Sequence, residues 1–179
     1  MRVIAGRARG RALTAPKGLE TRPTSDKARE AIFGSIQFQI AGARVLDLFA
    51  GSGAMGIEAL SRGAQEAVFV DNSREAVSCI RENLKNTGLS GSIVQTDFHA
   101  ALKGMSGAFD FIFIDPPYKS GFYEDAVDLI LDNGLLGESG RMIIEHDGSI
   151  DLEKSGRIEI VKDKKYGKAH VTTCVELKR

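Results

Sequence analysis

From residue 44 onward, apolar runs of strand length alternate with helix-like segments: RVLDLF then GIEALSRG, EAVFVD then SREAVSCIRENLKNTG, SIVQTD then FHAALKG. The series continues with FDFIFID, a helix across Tyr123 to Asp132, and RMIIEH. Parallel neighbours cannot be joined by a tight turn and need a crossover, which a helix supplies, so this alternation predicts βαβ units and a parallel sheet with helices packed on it. RIEIVKD and HVTTCVEL follow with little room for a helix between them, and are expected to pair as an antiparallel hairpin. Helix punctuation agrees with these boundaries: Ser73 precedes Ala76, Val77 and Ile80 as an N-cap, and Gly88 follows Asn86 as a stop.

The first part of the chain has a different pattern. RVIAGR and RALTAP predict two short strands joined near Gly10, a basic hairpin. Thr24 or Ser25 then caps an expected helix whose apolar stripe is Ala28, Ile32, Ile36 and Ile40. The junction near residue 42 is too short for a flexible linker, so residues 1–41 are expected to form an extension packed on a catalytic core of residues 42–179. Lysine plus arginine equals aspartate plus glutamate at 24 each, but the charges are unevenly spread. Up to residue 22 the cations Arg2, Arg7, Arg9, Arg11, Lys17 and Arg22 face the single acid Glu20, and Lys162, Lys164, Lys165 and Lys168 cluster near the C-terminus. If the fold brings the two groups together, a neutral chain still presents one positive face to phosphates.

Several classes are disfavoured. Cys79 and Cys174 stand alone, which leaves neither a disulfide framework nor a paired-thiolate metal site. His99, His146 and His170 have no metal-ligand spacing, so no metal is expected. The N-terminus lacks an apolar signal stretch and no run is long enough to span a bilayer, so a cytoplasmic, membrane-free protein is expected; a monomer is expected, though no residue pattern speaks to oligomeric state.

The first chemical motif is VLDLFAGSGAMG, where a strand ends and a glycine-rich turn opens a helix. Gly51, Gly53 and Gly56 spell G-x-G-x-x-G, and Asp71 lies twenty positions after Gly51, a spacing that suits ribose hydroxyls. A nicotinamide dinucleotide and a plain strand-to-helix turn both remain open. Asp47, close to where a pyrophosphate would lie, favours instead a cationic sulfonium ligand with an amino-acid tail. Asp97 closes the next strand at the same sheet edge, where its carboxylate suits an adenine amino group and Phe98 suits the ring; an acid there is also an ordinary helix cap.

The second motif is DPPY, Asp115, Pro116, Pro117 and Tyr118, directly after FDFIFI. Proline fixes its own φ and restricts its predecessor, so the Asp115 carboxylate and the Pro116 carbonyl are held as two acceptors beside one point. Two such acceptors suit the NH₂ of a nucleobase, whose lone pair is normally delocalised into the ring. Hydrogen bonds to both favour a tetrahedral nitrogen with its lone pair aimed at a methyl donor, and Asp115 stabilises the positive charge that develops there. Tyr118 is the expected stacking platform, a contact of about 1–3 kcal/mol.

VLDLFAGSG, FVDNS, QTD and DPPY, in that order, resemble Rossmann-like methyltransferases that modify amino nitrogens. More narrowly, RVIAGRARGR, RPTSDKAREAIF and KKYGKA are similar to the bacterial small-subunit ribosomal RNA guanine-N2 methyltransferase family, across nearly the whole chain. The resemblance implies a seven-stranded, mostly parallel sheet with a reversed last strand and S-adenosylmethionine held at Asp47, Gly51, Gly53, Asp71, Asn72 and Asp97. It also implies catalysis at Asp115 to Tyr118, a pocket bordered by Arg22 to Thr24 and Arg29, and ribosomal RNA within a small-subunit assembly particle as the partner. DPPY is shared with adenine-N6 enzymes, so an adenine-N6 methyltransferase on DNA or RNA stays open. A nicotinamide-dependent oxidoreductase and a non-enzymatic RNA-binding assembly factor are more distant alternatives.

Overall fold

The computed structural model describes residues 1–18, 23–117 and 120–178; Tyr118 and Arg22, two of the expected site residues, lie outside them, as does the Thr24 side chain. Seven strands form one sheet in the order β3-β2-β1-β4-β5-β7-β6. They are β1 (Arg44–Leu48), β2 (Glu66–Asp71), β3 (Ser92–Gln95), β4 (Phe109–Ile114), β5 (Leu136–His146), β6 (Ile158–Tyr166) and β7 (Ala169–Glu176). The first five are parallel, and β7 alone is reversed, pairing antiparallel with both β5 and β6. This is the Rossmann-like α/β architecture expected from the alternation, including the closing hairpin.

The helices are α1 (Pro23–Ile36), α2 (Ala54–Ser61), α3 (Arg74–Thr87), α4 (Phe98–Gly104) and α5 (Phe122–Asp132). Both sheet faces are covered. On one, Phe33 and Ile36 of α1, Ile57 of α2 and Ile80 of α3 pack with Phe69, Phe111 and Phe113. On the other, Leu102 of α4 and Ile130 of α5 pack with Leu46, Leu48 and Ile112. Ser73 caps α3 by accepting from the Ala76 N–H at 3.3 Å, and Gly88 ends it in the left-handed conformation, φ 68°.

The amino-terminal expectations need correction at three points. Helix α1 starts at Pro23, so positions 24 and 25 lie in its first turn and not before it; proline suits that place because its missing N–H would have no helical partner. The helix ends at Ile36, short of Ile40, which still reaches the core at 1% exposure through a turn whose N–H bonds back to the Ile36 carbonyl at 3.1 Å. Residues 2–15 make a single antiparallel bridge, Arg2 to Ala12, and no strands. Side chains of the helices take up its backbone groups: Glu58 accepts from the N–H groups of Ile4 and Ala5, and Ser61 Oγ from that of Ala8. The bridge's own ladder is limited to the Val3 N–H to Arg11 carbonyl bond at 2.9 Å and the Leu13 N–H to Met1 carbonyl bond at 2.8 Å, because the next donors are taken by side chains. Val3, Ala8 and Leu13 of this segment are buried in the same core as Val45 and Ile57.

Candidate active site

Between β1 and β4 the strand order reverses, and in open α/β sheets the crevice at the carboxyl ends of such strands is the binding place. Register puts the two motifs side by side there: Leu48 of β1 is level with Ile114 of β4, so the glycine turn after β1 and Asp115 after β4 leave the sheet together. A cavity of about 580 Å³ opens between them, lined by Phe49, Gly51 and Ser52 from the turn and Asp115, Pro116 and Pro117 from β4.

The turn is tightly specified. Phe49 has φ 64°, the one non-glycine positive value among the described residues, a conformation costing about 1–3 kcal/mol. Packing holds it: its ring lies 5.0 Å from Phe98 and 6.1 Å from Phe122. Gly53 takes φ 78°, and a Cβ on Gly56 would stand 2.4 Å from the buried Phe69 ring. The expected triplet of glycines therefore serves conformation at Gly53 and close packing at Gly56. Asp71 accepts from the Gly51 N–H at 2.9 Å and from the Ser73 N–H at 2.9 Å, fixing the turn to the end of β2. Asp47 accepts from the Gly56 N–H at 3.0 Å and is almost fully buried. Burial pushes its pKa up to about 7 despite the Gly56 hydrogen bond, with the nearby Asp71 charge adding to the rise.

Among the described lining side chains, Asp26, Asp47, Asp71, Asp115 and Glu145 are acids and Arg29 is the one cation. Arg29 is 1% exposed. Its Nη2 donates to the Arg2 carbonyl at 2.6 Å, and its Nε lies 4.0 Å from Glu58, while Nε and Nη1 find no hydrogen-bond partner among the described residues. Desolvation lowers its pKa, with Glu58 and Asp26 opposing.

Asp47, Gly51, Asp71, Asn72, Asp115, Pro116 and Pro117 thus meet at one cavity, with Gly53 holding the turn behind it. Asp97 and Phe98 do not line it. The Asp97 carboxylate caps α4 through the Ala100 N–H at 3.1 Å, and Phe98 is buried against Phe49 and Phe122. The exposed basic groups lie at opposite sheet edges. The Arg7 N–H bonds to the last residue of α2, Ser61, at 2.8 Å, which places the turn of Arg7, Arg9 and Arg11 at the amino edge. Lys164, Lys165 and Lys168 surround the β6–β7 turn at the carboxyl edge, beside the cavity's own edge. Among the described residues the two basic groups do not form a single positive face.

Three residues escaped the sequence reading. Phe49 is betrayed only by its backbone angle. Glu145 is the penultimate residue of β5, after the apolar run Met142–Ile144 and at the edge where ligands bind. Asn83 is a polar residue in the buried stripe of α3, and its amide is fully used: it donates to the carbonyls of Thr14 at 2.8 Å and Ser52 at 2.9 Å, and accepts from the Thr14 N–H at 2.8 Å. It ties the amino-terminal segment to the glycine turn. Asn83→Ala leaves those buried groups unpaired and is expected to cost about 2–4 kcal/mol in chemical denaturation, with faster amide exchange at residues 13–17. Unchanged exchange there would show that Asn83 does not hold the segment.

The family described as "Conserved hypothetical protein 95" matches residues 1–175. Over 174 residues the chain is 42% identical to "Putative rRNA methyltransferase YlbH" of Bacillus subtilis, covering 93% of this chain and 94% of that one. It is 34% identical over 148 residues to "Ribosomal RNA small subunit methyltransferase D" of Escherichia coli K12, covering 82% and 75%. The chain belongs to this rRNA methyltransferase family. Among solved structures, "Putative methyltransferase yhhF from Escherichia coli" superimposes with TM-score 0.88 at 29% identity, over 100% of this chain and 99% of that one. Among the described residues no helix is long and apolar enough to cross a membrane.

Proposed function

We propose that the protein transfers the methyl group of S-adenosylmethionine to the exocyclic N2 of one guanine in small-subunit ribosomal RNA, as a monomer acting on a cytoplasmic assembly particle. The observation that carries this reading is the acid-walled cavity joining the glycine turn to Asp115. Its volume of about 580 Å³ suits a cofactor-sized ligand, for which about 300–1,000 Å³ is usual. The sulfonium and ammonium charges of the cofactor complement the acids, and Arg29 is the lining cation able to balance its carboxylate. The pyrophosphate of a nicotinamide dinucleotide would face the same acids with like charge. The names of the relatives supply the ribosomal RNA.

S-adenosylmethionine, when bound, would supply an electrophilic methyl group on a sulfonium able to depart as a neutral thioether. Asp115 and the Pro116 carbonyl accept from the base NH₂ and aim its lone pair. Asp115 then stabilises the positive nitrogen and receives the proton it releases. Asp47 and Asp71 hold the turn against which the cofactor rests, and the rigid Pro116–Pro117 backbone excludes alternative poses of the base. Lys164, Lys165 and Lys168 are proposed to contact RNA phosphates beside the mouth, whereas Arg7, Arg9 and Arg11 would meet a more distant part of a large RNA.

Asp47 makes cofactor binding depend on pH. With a folded pKa of about 7 against an ordinary 3.8, the folded state keeps a proton that the unfolded chain has released, so stability falls as pH rises from about 4 to about 7 and is flat above. A cationic ligand prefers the ionised carboxylate. Calorimetry is therefore expected to show S-adenosylmethionine affinity rising from pH 6 to pH 7.5 by up to roughly tenfold and levelling off beyond. A flat profile would separate Asp47 from the cofactor.

The reaction itself is tested with tritiated methyl donor on small-subunit particles, naked rRNA and duplex DNA. Label in rRNA guanine supports the proposal; exclusive label in DNA adenine overturns it.

A further inference from the structure

Asp115 holds the amino group that every DPPY enzyme must hold, so something else has to choose the base. Beside it stands a second carboxylate. Strands β4 and β5 run parallel with Phe113 level with Ile143 and Ile114 level with Ile144, and Asp115 and Glu145 are the residues that follow this last pair on each chain. Side chains two apart on a strand share a face. Phe113, Ile143, Asp115 and Glu145 accordingly all line the cavity. Neighbouring strands lie about 4.8 Å apart, which puts the two half-buried carboxyl-bearing residues shoulder to shoulder at the strand ends. On the far side of Glu145 the level residue is Val171 of β7, which also lines the cavity and brings no competing polar group. Both acids also interact within the protein; a carboxylate has two oxygens and about four lone-pair sites, so a partner on one does not close the other.

We infer that Glu145 is a specificity-determining residue that accepts the N1–H of the target guanine while Asp115 accepts from its N2 amine. The inference rests on the guanine-N2 reading above. On guanine the ring nitrogen next to the exocyclic amine carries a hydrogen, so that edge offers adjacent donors to adjacent carboxylates. On adenine the corresponding ring nitrogen is a bare acceptor. An ionised carboxylate has no hydrogen to give it, so the lone pairs repel and adenine is rejected even though Asp115 would hold its amine equally well. Sites that pair a specific N–H discriminate strongly against analogues that lack it, because the desolvated protein group is left without a partner.

The test uses small-subunit RNA ligated to carry guanosine or 2-aminopurine ribonucleoside at the methylated position. 2-Aminopurine keeps the reacting amine and lacks the N1–H. The wild-type enzyme is expected to favour guanosine by about 100-fold or more in kcat/KM. Glu145→Gln, whose amide can rotate to donate to the bare nitrogen, is expected to lose about 10–100-fold on guanosine and to narrow the preference below about tenfold. Cofactor affinity should fall far less than kcat/KM on guanosine, since Asp47 and the turn are untouched. Glu145→Asp keeps the charge and should keep the preference at a reduced rate. If guanosine is methylated and the preference is the same in wild type and Glu145→Gln, Glu145 does not read the base. If the glutamine variant fails to fold, a wild type that accepts both bases equally overturns the inference by itself. A wild type that methylates an adenine amine and no guanine overturns the guanine reading instead, a distinct result.

Discussion

Alanine at Asp115 is expected to lower kcat for methyl transfer by about 10²–10³-fold while leaving the Kd for S-adenosylmethionine within a fewfold of wild type. Removing one preorganised group that stabilises charge only in the transition state typically has a cost of that size. The carboxylate stands on the β4 side of the cavity, while the turn that would hold the cofactor is fixed by Asp71 and Asp47 through the Gly51 and Gly56 amides. Binding and chemistry should therefore separate. Asp115→Asn keeps one acceptor oxygen and loses the charge, so it should fall between alanine and wild type. Single-turnover kinetics with saturating cofactor reads both variants, and a wild-type rate for Asp115→Ala would remove this residue from the chemistry.

The largest stability effect is expected at Glu58. This glutamate is fully buried, and its two oxygens accept from the Ile4 N–H at 2.9 Å, the Ala5 N–H at 3.0 Å and Arg62 Nε at 2.8 Å. It also lies 4.0 Å from the Nε of Arg29, a buried guanidinium whose Nη2 is 3.4 Å from the solvent-exposed carboxylate of Asp26. Glu58→Ala strands that charge together with two backbone donors. Breaking a buried pair from one side costs about 3–5 kcal/mol, roughly a 10 °C fall in Tm for a chain of this size. Arg29→Met added to Glu58→Ala should recover part of the loss, because the more deeply buried of the two cations left without Glu58 is then gone, and Arg62 is nearer to solvent. A Tm within about 2 °C of wild type for the single variant would mean that water or a rearranged side chain satisfies Arg29. The amino-terminal segment should loosen with it, since Glu58 holds residues 4 and 5 as Asn83 holds residue 14.

The parallel core was legible because its signals are local and agree with one another: β-rich runs, a capping serine at 73 and a stopping glycine at 88 each predict the same boundaries. The amino-terminal segment misled for the opposite reason. RVIAGR and RALTAP have strand composition, but composition does not reveal that Glu58, Ser61 and Asn83, from 53 to 69 positions away, take the hydrogen bonds a ladder would have used. At the site, the glycine turn and Asp115 were readable because close backbone approach and proline geometry leave a mark in residue type. Asp97 shows the limit of that logic. A strand-end acid was expected to face a ligand; it caps a helix through one oxygen and does not line the cavity, and the two roles read alike in the letters. Glu145 shows the converse: its meaning depends on which strand lies next to β4, a fact of topology.

The most direct test of the account is nucleoside mass spectrometry of small-subunit rRNA from cells lacking this protein, complemented with wild type or with Asp115→Ala. Loss of one N2-methylguanosine is expected, restored by wild type and not by the variant. An unchanged nucleoside profile, or loss of N6-methyladenosine in its place, would contradict it.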